Sequence, residues 1–457
     1  MRRARHILVL LMLAGLLAGC ASRSASQGKT GVRAYFDGDL AGAQDVLLPL
    51  ANTTDESYVL NNLRLGSTAL LALDLQRAEG ALYRAVEVIN AGGVNDPARA
   101  FSAYAFYEGL KVWKGEPFER AMASYYLGLS YYLRGDYGNA RASFENCLFK
   151  LADYGDNPDD PSQFQLVESD FALAHVMLGR TWTRLGRDDM ATRSFARAQQ
   201  ARPELAPLCD IELHRRSNLL LLIDYDYGPM KVASDTGQIV GFVPSLGQAG
   251  PIGRPRVRVN GREISRPTLL VPTIDLVALA ERREWRSIDT ARAIKDVVGK
   301  GLLVGGAVAT GYGLSHDSRE AVVGGLAAMA LGALLSASSK ADLRQWEMLP
   351  RTVFVVPLEL PPGSYTITVD APPRGRARLP IDQTWVDVLV PERGETALYL
   401  RLLPWQRGPW RWPTRERVTP EMLGNPVIDD RSLDACDTTD RPGDPAGYHI
   451  PDETRLP

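Results

Sequence analysis

The chain has 457 residues, of which 45% are hydrophobic, and it carries a formal net charge of −2 at pH 7. Its length exceeds the size at which a single hydrophobic core keeps growing, so two or more domains are expected. The near-balanced charge provides no basic field for nucleic acid or for an anionic membrane surface. We therefore expect no nucleic-acid partner.

The first twenty residues have the pattern of an export signal. Three arginines precede an apolar run over residues 7–17, which is too short to span a hydrocarbon core of about 30 Å. The end of the run, Leu17-Ala18-Gly19-Cys20, resembles the bacterial lipobox. That resemblance implies a signal peptide over residues 1–19 and a mature chain that begins at Cys20, lipidated with diacylglycerol and a fatty acid such as palmitate. The alternative is an ordinary exported protein with a chance cysteine.

The residue after Cys20 is Ala21, and the aspartate that retains many such lipoproteins at the inner membrane is absent from this position. We therefore expect a lipid anchor in the outer membrane, with the protein on its periplasmic face. Several acyl chains bind a protein to a membrane far more firmly than one. Residues 20–30 would form a linker.

The N-terminal half repeats a helix–turn–helix pattern. Apolar and small residues recur on one helix face, at the spacing typical of tetratricopeptide repeats. Weaker copies precede the two clearest, at residues 38–50 and 65–85. The pattern predicts a TPR-like α-solenoid over residues 31–217, with a concave surface for partner binding. The two clearest copies are marked by Leu127, Gly128, Tyr131, Gly135, Tyr137, Ala140, Phe144 and Cys147, and by Leu178, Gly179, Trp182, Gly186, Ala191, Phe195, Ala198 and Pro203.

An insertion separates the second and third copies and predicts an extra helix from Pro97 to Trp113. The sequence GEPFER follows at residues 115–120, and its proline among acidic residues is typical of a helix start. Three aromatic residues beyond that start are candidates for lining a partner-binding groove. The alternative is that the aromatic residues only pack the extra helix. The candidates are Phe118, Tyr125 and Tyr126.

After Pro203 the helical periodicity gives way to short alternating segments, which predict strands. Asn260-Gly261 predicts a tight hairpin turn, because both central residues need a positive φ. The sequence LPPGSYTITVD from Leu360 resembles the end of a transthyretin-like or immunoglobulin-like β-sandwich, which implies a supporting or binding role. We therefore expect an α+β multidomain chain, with the sandwich over residues 218–403. The predicted strands cover residues 219–225, 256–259, 263–264, 353–360, 364–369, 384–390 and 396–403.

A Gly/Ala-rich segment over residues 288–346 interrupts the predicted sandwich. It contains two apolar runs, Gly301–Ala309 and Ala321–Ala337, separated by a polar stretch. Two interpretations are open. The segment forms a helical hairpin packed against the sandwich or against another subunit of a homo-oligomer, or it inserts into a membrane. The short first run and the charges at the tip favour the packed hairpin.

The C-terminal residues 404–457 begin with interspersed tryptophans and arginines and continue as a polar tail. The tail is too polar to build a core, so we expect it to be disordered. Tryptophan and arginine are common anchors of protein interfaces, which makes three tryptophans further candidates for partner binding. The alternative is that they cap the last strand. These candidates are Trp405, Trp410 and Trp412.

The sequence lacks the common catalytic signatures HExxH, GxSxG, GxxxxGK[ST] and CxxC. Its histidines also lack metal-ligand spacing. The acidic run at Asp153, Asp156, Asp159 and Asp160 does not match a calcium-binding loop, so a solvated charge run is favoured over a calcium site. We therefore expect no enzymatic activity, no cofactor and no metal. A cell-wall enzyme is a distant third possibility, because the separation of a carboxylate pair is spatial.

Three segments, GEPFERAMASYYLGLSYYLRGDYGNA, ADLRQWEMLP and LPPGSYTITVD, resemble a family of uncharacterised bacterial outer-membrane lipoproteins with tetratricopeptide repeats. The resemblance covers about residues 30–403 and implies architecture rather than chemistry. We expect an outer-membrane-anchored scaffold that binds a protein or peptide partner in the cell envelope. The alternative is a subunit of an envelope pore or secretion complex that uses the Gly/Ala-rich hairpin.

Overall fold

The structure is a computed structural model. It describes residues 26–90, 112–150, 171–233, 240–244, 252–264, 267–281, 344–371 and 381–403. Several predictions lie outside the described residues. They concern the signal and Cys20, residues 97–111 of the extra helix, the acidic run, the Gly/Ala-rich hairpin up to residue 343, and the tail with Trp405, Trp410 and Trp412.

The N-terminal part consists of antiparallel helix pairs, which confirms the predicted helical repeats. A 3₁₀ turn (Pro203–Leu208) and the short helix α9 (Ile211–Arg216) follow the last pair. The pairs are α1 (26–36) with α2 (Leu40–Ala51), α3 (Tyr58–Leu71) with α4 (Leu75–Asn90), α5 (Pro117–Leu133) with α6 (Tyr137–Phe149), and α7 (Ala172–Arg184) with α8 (Asp188–Ala201).

Each pair turns through one residue with positive φ, which glycine adopts without a steric penalty. An aspartate follows in the first three turns, and its carboxylate accepts a hydrogen bond from a backbone amide in the first turn of the second helix. This N-cap fixes where that helix begins. The turn residues are Gly38, Leu73, Gly135 and Gly186, with φ of 82°, 57°, 77° and 68°, and the capping residues are Asp39, Asp74 and Asp136.

The two helices of each pair cross closely at a glycine, as predicted for Gly128 and Gly179. A Cβ atom on Gly128 would lie 2.7 Å from the Phe144 ring, and one on Gly179 would lie 2.5 Å from the Phe195 ring. The other two pairs repeat this contact, with Gly31 against Leu47 and Gly66 against Leu82. The glycine is therefore required by packing rather than by backbone conformation.

The C-terminal part is built of β-sheets. A three-stranded sheet has the order β6-β1-β9, with β1 antiparallel to β6 and parallel to β9. A four-stranded antiparallel sheet has the order β5-β4-β7-β8, and β2 and β3 form a separate hairpin. The strands are β1 (Leu219–Tyr225), β2 (Pro229–Ala233), β3 (Val240–Pro244), β4 (Arg256–Val259), β5 (Arg262–Glu263), β6 (Thr352–Leu358), β7 (Gly363–Ala371), β8 (Ile381–Val390) and β9 (Thr396–Leu402).

The predicted hairpin turn at Asn260-Gly261 is confirmed, since both residues have positive φ and join β4 to β5. The β2–β3 hairpin was not predicted, because its short strands carry no clear alternation. A short helix, α10 (Leu276–Glu281), follows a segment that bonds to the outer edge of β6, where the Thr273 amide donates to the Val353 carbonyl at 3.0 Å.

The three-stranded sheet is the middle layer between the helices and the four-stranded sheet. Along β1, Leu220 and Leu222 belong to the core shared with the helices. The alternate residues Leu221 and Ile223 belong to the core between the two sheets. Because side chains alternate across a strand, both faces of β1 are covered and the whole strand is buried.

Candidate functional site: the interface between the repeats and the sheet

The first helices of the pairs are covered on two sides. Every residue of α3 is buried, and in α5 only Arg120 and Tyr131 are not. The second helices α4, α6 and α8 bury a single stripe instead. The additional cover on the first helices comes from β1, β6 and β9, whose inward residues share one core with them. We call this contact the repeat–sheet interface.

The predicted groove residues lie inside this interface or in the core of their own helix pair. Phe118 is 2% exposed and meets the ring of Phe242 edge-on at 5.3 Å. Tyr126 donates a hydrogen bond to Asp224 in β1. Tyr125 is fully buried beside Phe144. This corrects the expectation that the three aromatic residues face an open groove, because the chain's own sheet covers that face of the helices.

The centre of the interface is a buried carboxylate, Asp224. Its Oδ2 accepts hydrogen bonds from the hydroxyls of Tyr126 and Tyr399, the latter at 2.8 Å, and lies 3.9 Å from the Arg401 guanidinium. Burial raises the pKa of Asp224 to about 6, against the opposing effect of Arg401 and the two phenols. Arg401 also donates to the carbonyl oxygens of Met348 and Leu349.

A second buried carboxylate, Glu395, enters the helices from the turn before β9. It is bound by the guanidiniums of Arg180 and Arg184 in α7 and by the hydroxyls of Tyr132, at 2.5 Å, and Tyr137, at 3.2 Å. Burial alone would raise the pKa of Glu395, but the two guanidiniums and the phenols lower it to about 2. The carboxylate is therefore ionised at neutral pH.

The next residue in this cluster is His214 of α9. Arg180 donates to the His214 backbone carbonyl at 3.0 Å, and the His214 Nε2 lies 2.7 Å from the carbonyl of Leu208. Burial, with the charge of Arg180, lowers the pKa of His214 to about 3, so the imidazole is neutral. This histidine joins α9 to α7 and is not positioned as a ligand or a base.

The third buried carboxylate is Glu119 of the GEPFER segment. It accepts hydrogen bonds from the backbone amides of Glu116 and Trp346, both at 2.7 Å. Lys231 in β2 donates to Glu116 at 2.6 Å. Burial raises the pKa of Glu119 to about 7, and the nearby Lys231 and the two amides oppose this shift. Two segments singled out in the sequence, GEPFER and RQWEMLP, therefore contact each other through this carboxylate.

Residues 344–350 are bound along the helices by further contacts. Arg64 of α3 forms a two-pronged ion pair with Glu347, at 2.6 and 3.0 Å. The indole of Trp346 donates to Ser67 at 3.1 Å, and the indole of Trp113 donates to the Arg344 carbonyl at 3.0 Å. The chain that returns from the Gly/Ala-rich segment is therefore attached to α3 from its first described residue, Arg344.

Chemically, the interface is a set of mutually satisfied buried charges. Its carboxylates and phenols are bound to one another and to backbone groups, which fixes the sheet on the helices. Within the described ranges, no group of three or more His, Cys, Asp or Glu side chains is placed to bind a metal ion. Among those same residues, no helix is long and apolar enough to cross a membrane.

The sequence contained a signal for these charges. Asp224 interrupts the apolar strand LLLLIDY and Arg401 interrupts TALYLRL, and the two face each other in the β1–β9 ladder. An acid and a base in two otherwise apolar strands predict such a pair. Arg180 and Glu395 left no comparable signal, because they lie 215 positions apart and neither is in a fully apolar segment.

Comparison with known proteins gives little further constraint. No protein-family model matches the chain, and no curated protein matches it. Two crystal structures of MamA are similar to part of it, at 20% and 19% identity and a TM-score of 0.27 each. They cover 40% and 42% of this chain and 81% and 79% of their own. At that TM-score the likeness adds nothing to the helix pairs described above.

Proposed function

We propose that this protein is a lipid-anchored scaffold for protein–protein interaction on the periplasmic face of the bacterial outer membrane. The observation that carries the proposal is the repeat–sheet interface, which joins helical repeats and β-sheets into one platform through buried ion pairs. Because the sheet covers the first helices, partners bind to the outer face of the second helices. That face includes the exposed side chains of Tyr83 and Phe149, at 52% and 61% exposure.

Site-specific photocrosslinking in intact cells tests this surface. Benzoylphenylalanine replaces Tyr83 or Phe149, with Tyr126 as the buried control of the same chemical type. We expect a discrete adduct of higher mass from at least one exposed position and none from Tyr126. Equal results at all three positions would contradict binding through the outer face.

The anchor is tested separately by Cys20→Ser. This change removes the thiol that carries the diacylglycerol, so the variant should lose fatty-acid labelling and processing by the lipoprotein signal peptidase. A serine variant that is acylated and processed like the wild type would show that residues 17–20 are not a lipobox.

A second candidate, a pore or secretion subunit, is favoured by the position of two chain segments. A Cβ on Gly28 in α1 would lie 2.5 Å from Arg64, which pairs with Glu347. Arg344 is bound to the Glu56 carbonyl just before α3. The six residues from Cys20 to α1 reach at most roughly 20 Å. A lipid at Cys20 would therefore bring the base of the Gly/Ala-rich segment close to the membrane.

Flotation with liposomes separates the two candidates. Unlipidated protein from the scaffold should stay in solution, whereas a membrane-inserting hairpin should float. Flotation that is abolished by Ala328→Arg would favour the pore, because a central arginine costs about 2.5 to 3.5 kcal/mol in a membrane helix. We expect no flotation.

A further inference from the structure

Three cationic side chains converge at one end of the α5–α6 pair. The helices are antiparallel, and a hydrogen bond of 3.1 Å from the Asn146 amide to the Ser124 hydroxyl fixes their register. Arg120 lies one turn before Ser124 and Lys150 one turn after Asn146, so both occupy the same end. Lys114 joins them, because Arg120 donates to the carbonyl of the adjacent Gly115 at 3.2 Å.

The two lysines are half-buried, and their charges are not compensated by the acids nearest in sequence. Glu116 binds Lys231, and Glu119 binds two backbone amides. Burial lowers the pKa of Lys114 and of Lys150, and the adjacent Arg120 lowers both further. Three like charges in a partly desolvated place repel one another, and an anion bound among them would relieve that repulsion.

The sequence provides opposite charge immediately after this cluster. Asp153, Asp156, Asp159 and Asp160 follow Lys150 within ten positions. The chain returns at Phe171, where α7 begins and packs on α6. A segment attached at both ends next to a site is present there at an effective concentration in the millimolar range, which a free partner rarely reaches.

We propose that Lys114, Arg120 and Lys150 form a binding site for the carboxylates of an acidic peptide segment, and that residues 153–160 of this chain are that segment. The contact connects the third and fourth helix pairs. Since it joins partly exposed charges, it weakens as ionic strength rises. A partner with an acidic stretch would have to displace this segment before it reached the site.

Carbodiimide coupling of the full-length protein in nonionic detergent tests the site. The reagent removes water between a lysine amine and a carboxylate in contact and leaves an amide, which mass spectrometry locates. Lys114 is the informative lysine, because it is far from the acidic run in sequence. We expect an amide between Lys114 and residues 153–160. Its yield should fall about fivefold in Arg120→Gln, equivalent to about 1 kcal/mol. Arg134→Gln, at the other end of α5, should leave it unchanged.

Two further arms identify the source of the carboxylates. The variant Asp156→Asn/Asp159→Asn/Asp160→Asn should lose most of the internal amide, and an added decamer of glutamate should then couple to Lys114 in its place. Coupling of the unmodified protein to the decamer alone would overturn the assignment to residues 153–160. Coupling to neither, or equal yields in Arg120→Gln and Arg134→Gln, would overturn the site.

Discussion

Removal of the charge on Glu395 is the most direct test of the repeat–sheet interface. The Glu395 and Arg180 side chains are 1% and 0% exposed, and Arg184 is 14% exposed. Glu395→Gln keeps the size of the side chain but leaves two guanidiniums without their counter-charge. Removing one partner of a buried ion pair typically costs about 3 to 5 kcal/mol, so we expect a loss of that size in the free energy of unfolding.

The assay is urea denaturation followed by tryptophan fluorescence. The matched control is Glu392→Gln, an exposed glutamate in the same turn, which should change stability by less than about 0.5 kcal/mol. The double variant Arg180→Met/Glu395→Leu replaces the pair with apolar groups and should cost less than Glu395→Gln alone. Equal midpoints for Glu395→Gln and Glu392→Gln would refute the argument that this ion pair fixes the sheet on the helices.

Three other predictions follow from the buried charges and the glycines. The folded-state pKa of Asp224 is raised, so its contribution to stability is complete below its ordinary pKa of about 4 and is lost as pH rises through about 6. Urea titrations should therefore show the wild type losing stability relative to Asp224→Asn between pH 4 and 7, and a constant difference would contradict this. Gly186→Ala should cost about 1 kcal/mol through its positive φ alone, since no atom lies within 4 Å of the added Cβ, whereas Gly80→Ala inside α4 should stabilise by about 0.5 to 1 kcal/mol; thermal melts with the same sign for both would refute the conformational argument. Gly128→Leu should lower the melting temperature, because overpacking against Phe144 costs about 1 to 3 kcal/mol, and an unchanged melt would count against the helix crossing.

The local features of the fold were predictable from the sequence, and the long-range ones were not. Gly128, Gly179 and the Asn260-Gly261 turn follow from spacing and backbone preference, which a sequence displays directly. The covering of Phe118, Tyr125 and Tyr126 depends on strands about 100 to 270 positions away, as the Tyr126–Asp224 and Tyr132–Glu395 bonds illustrate. An aromatic stripe has the same periodicity whether its cover is a partner or the chain's own sheet.

The pairing of β1 with β9 determines the order in which the protein assembles. Leu219 is aligned with Thr396, so the strand at the centre of the sheet acquires its second neighbour only when almost the whole described chain is present. The helix pairs are formed by local contacts and fold much faster than such a distant pairing. During export the helices therefore stand complete while the apolar side destined for the sheet is still bare. Over that interval the chain is most prone to aggregate, and a chaperone that binds apolar surfaces has its target.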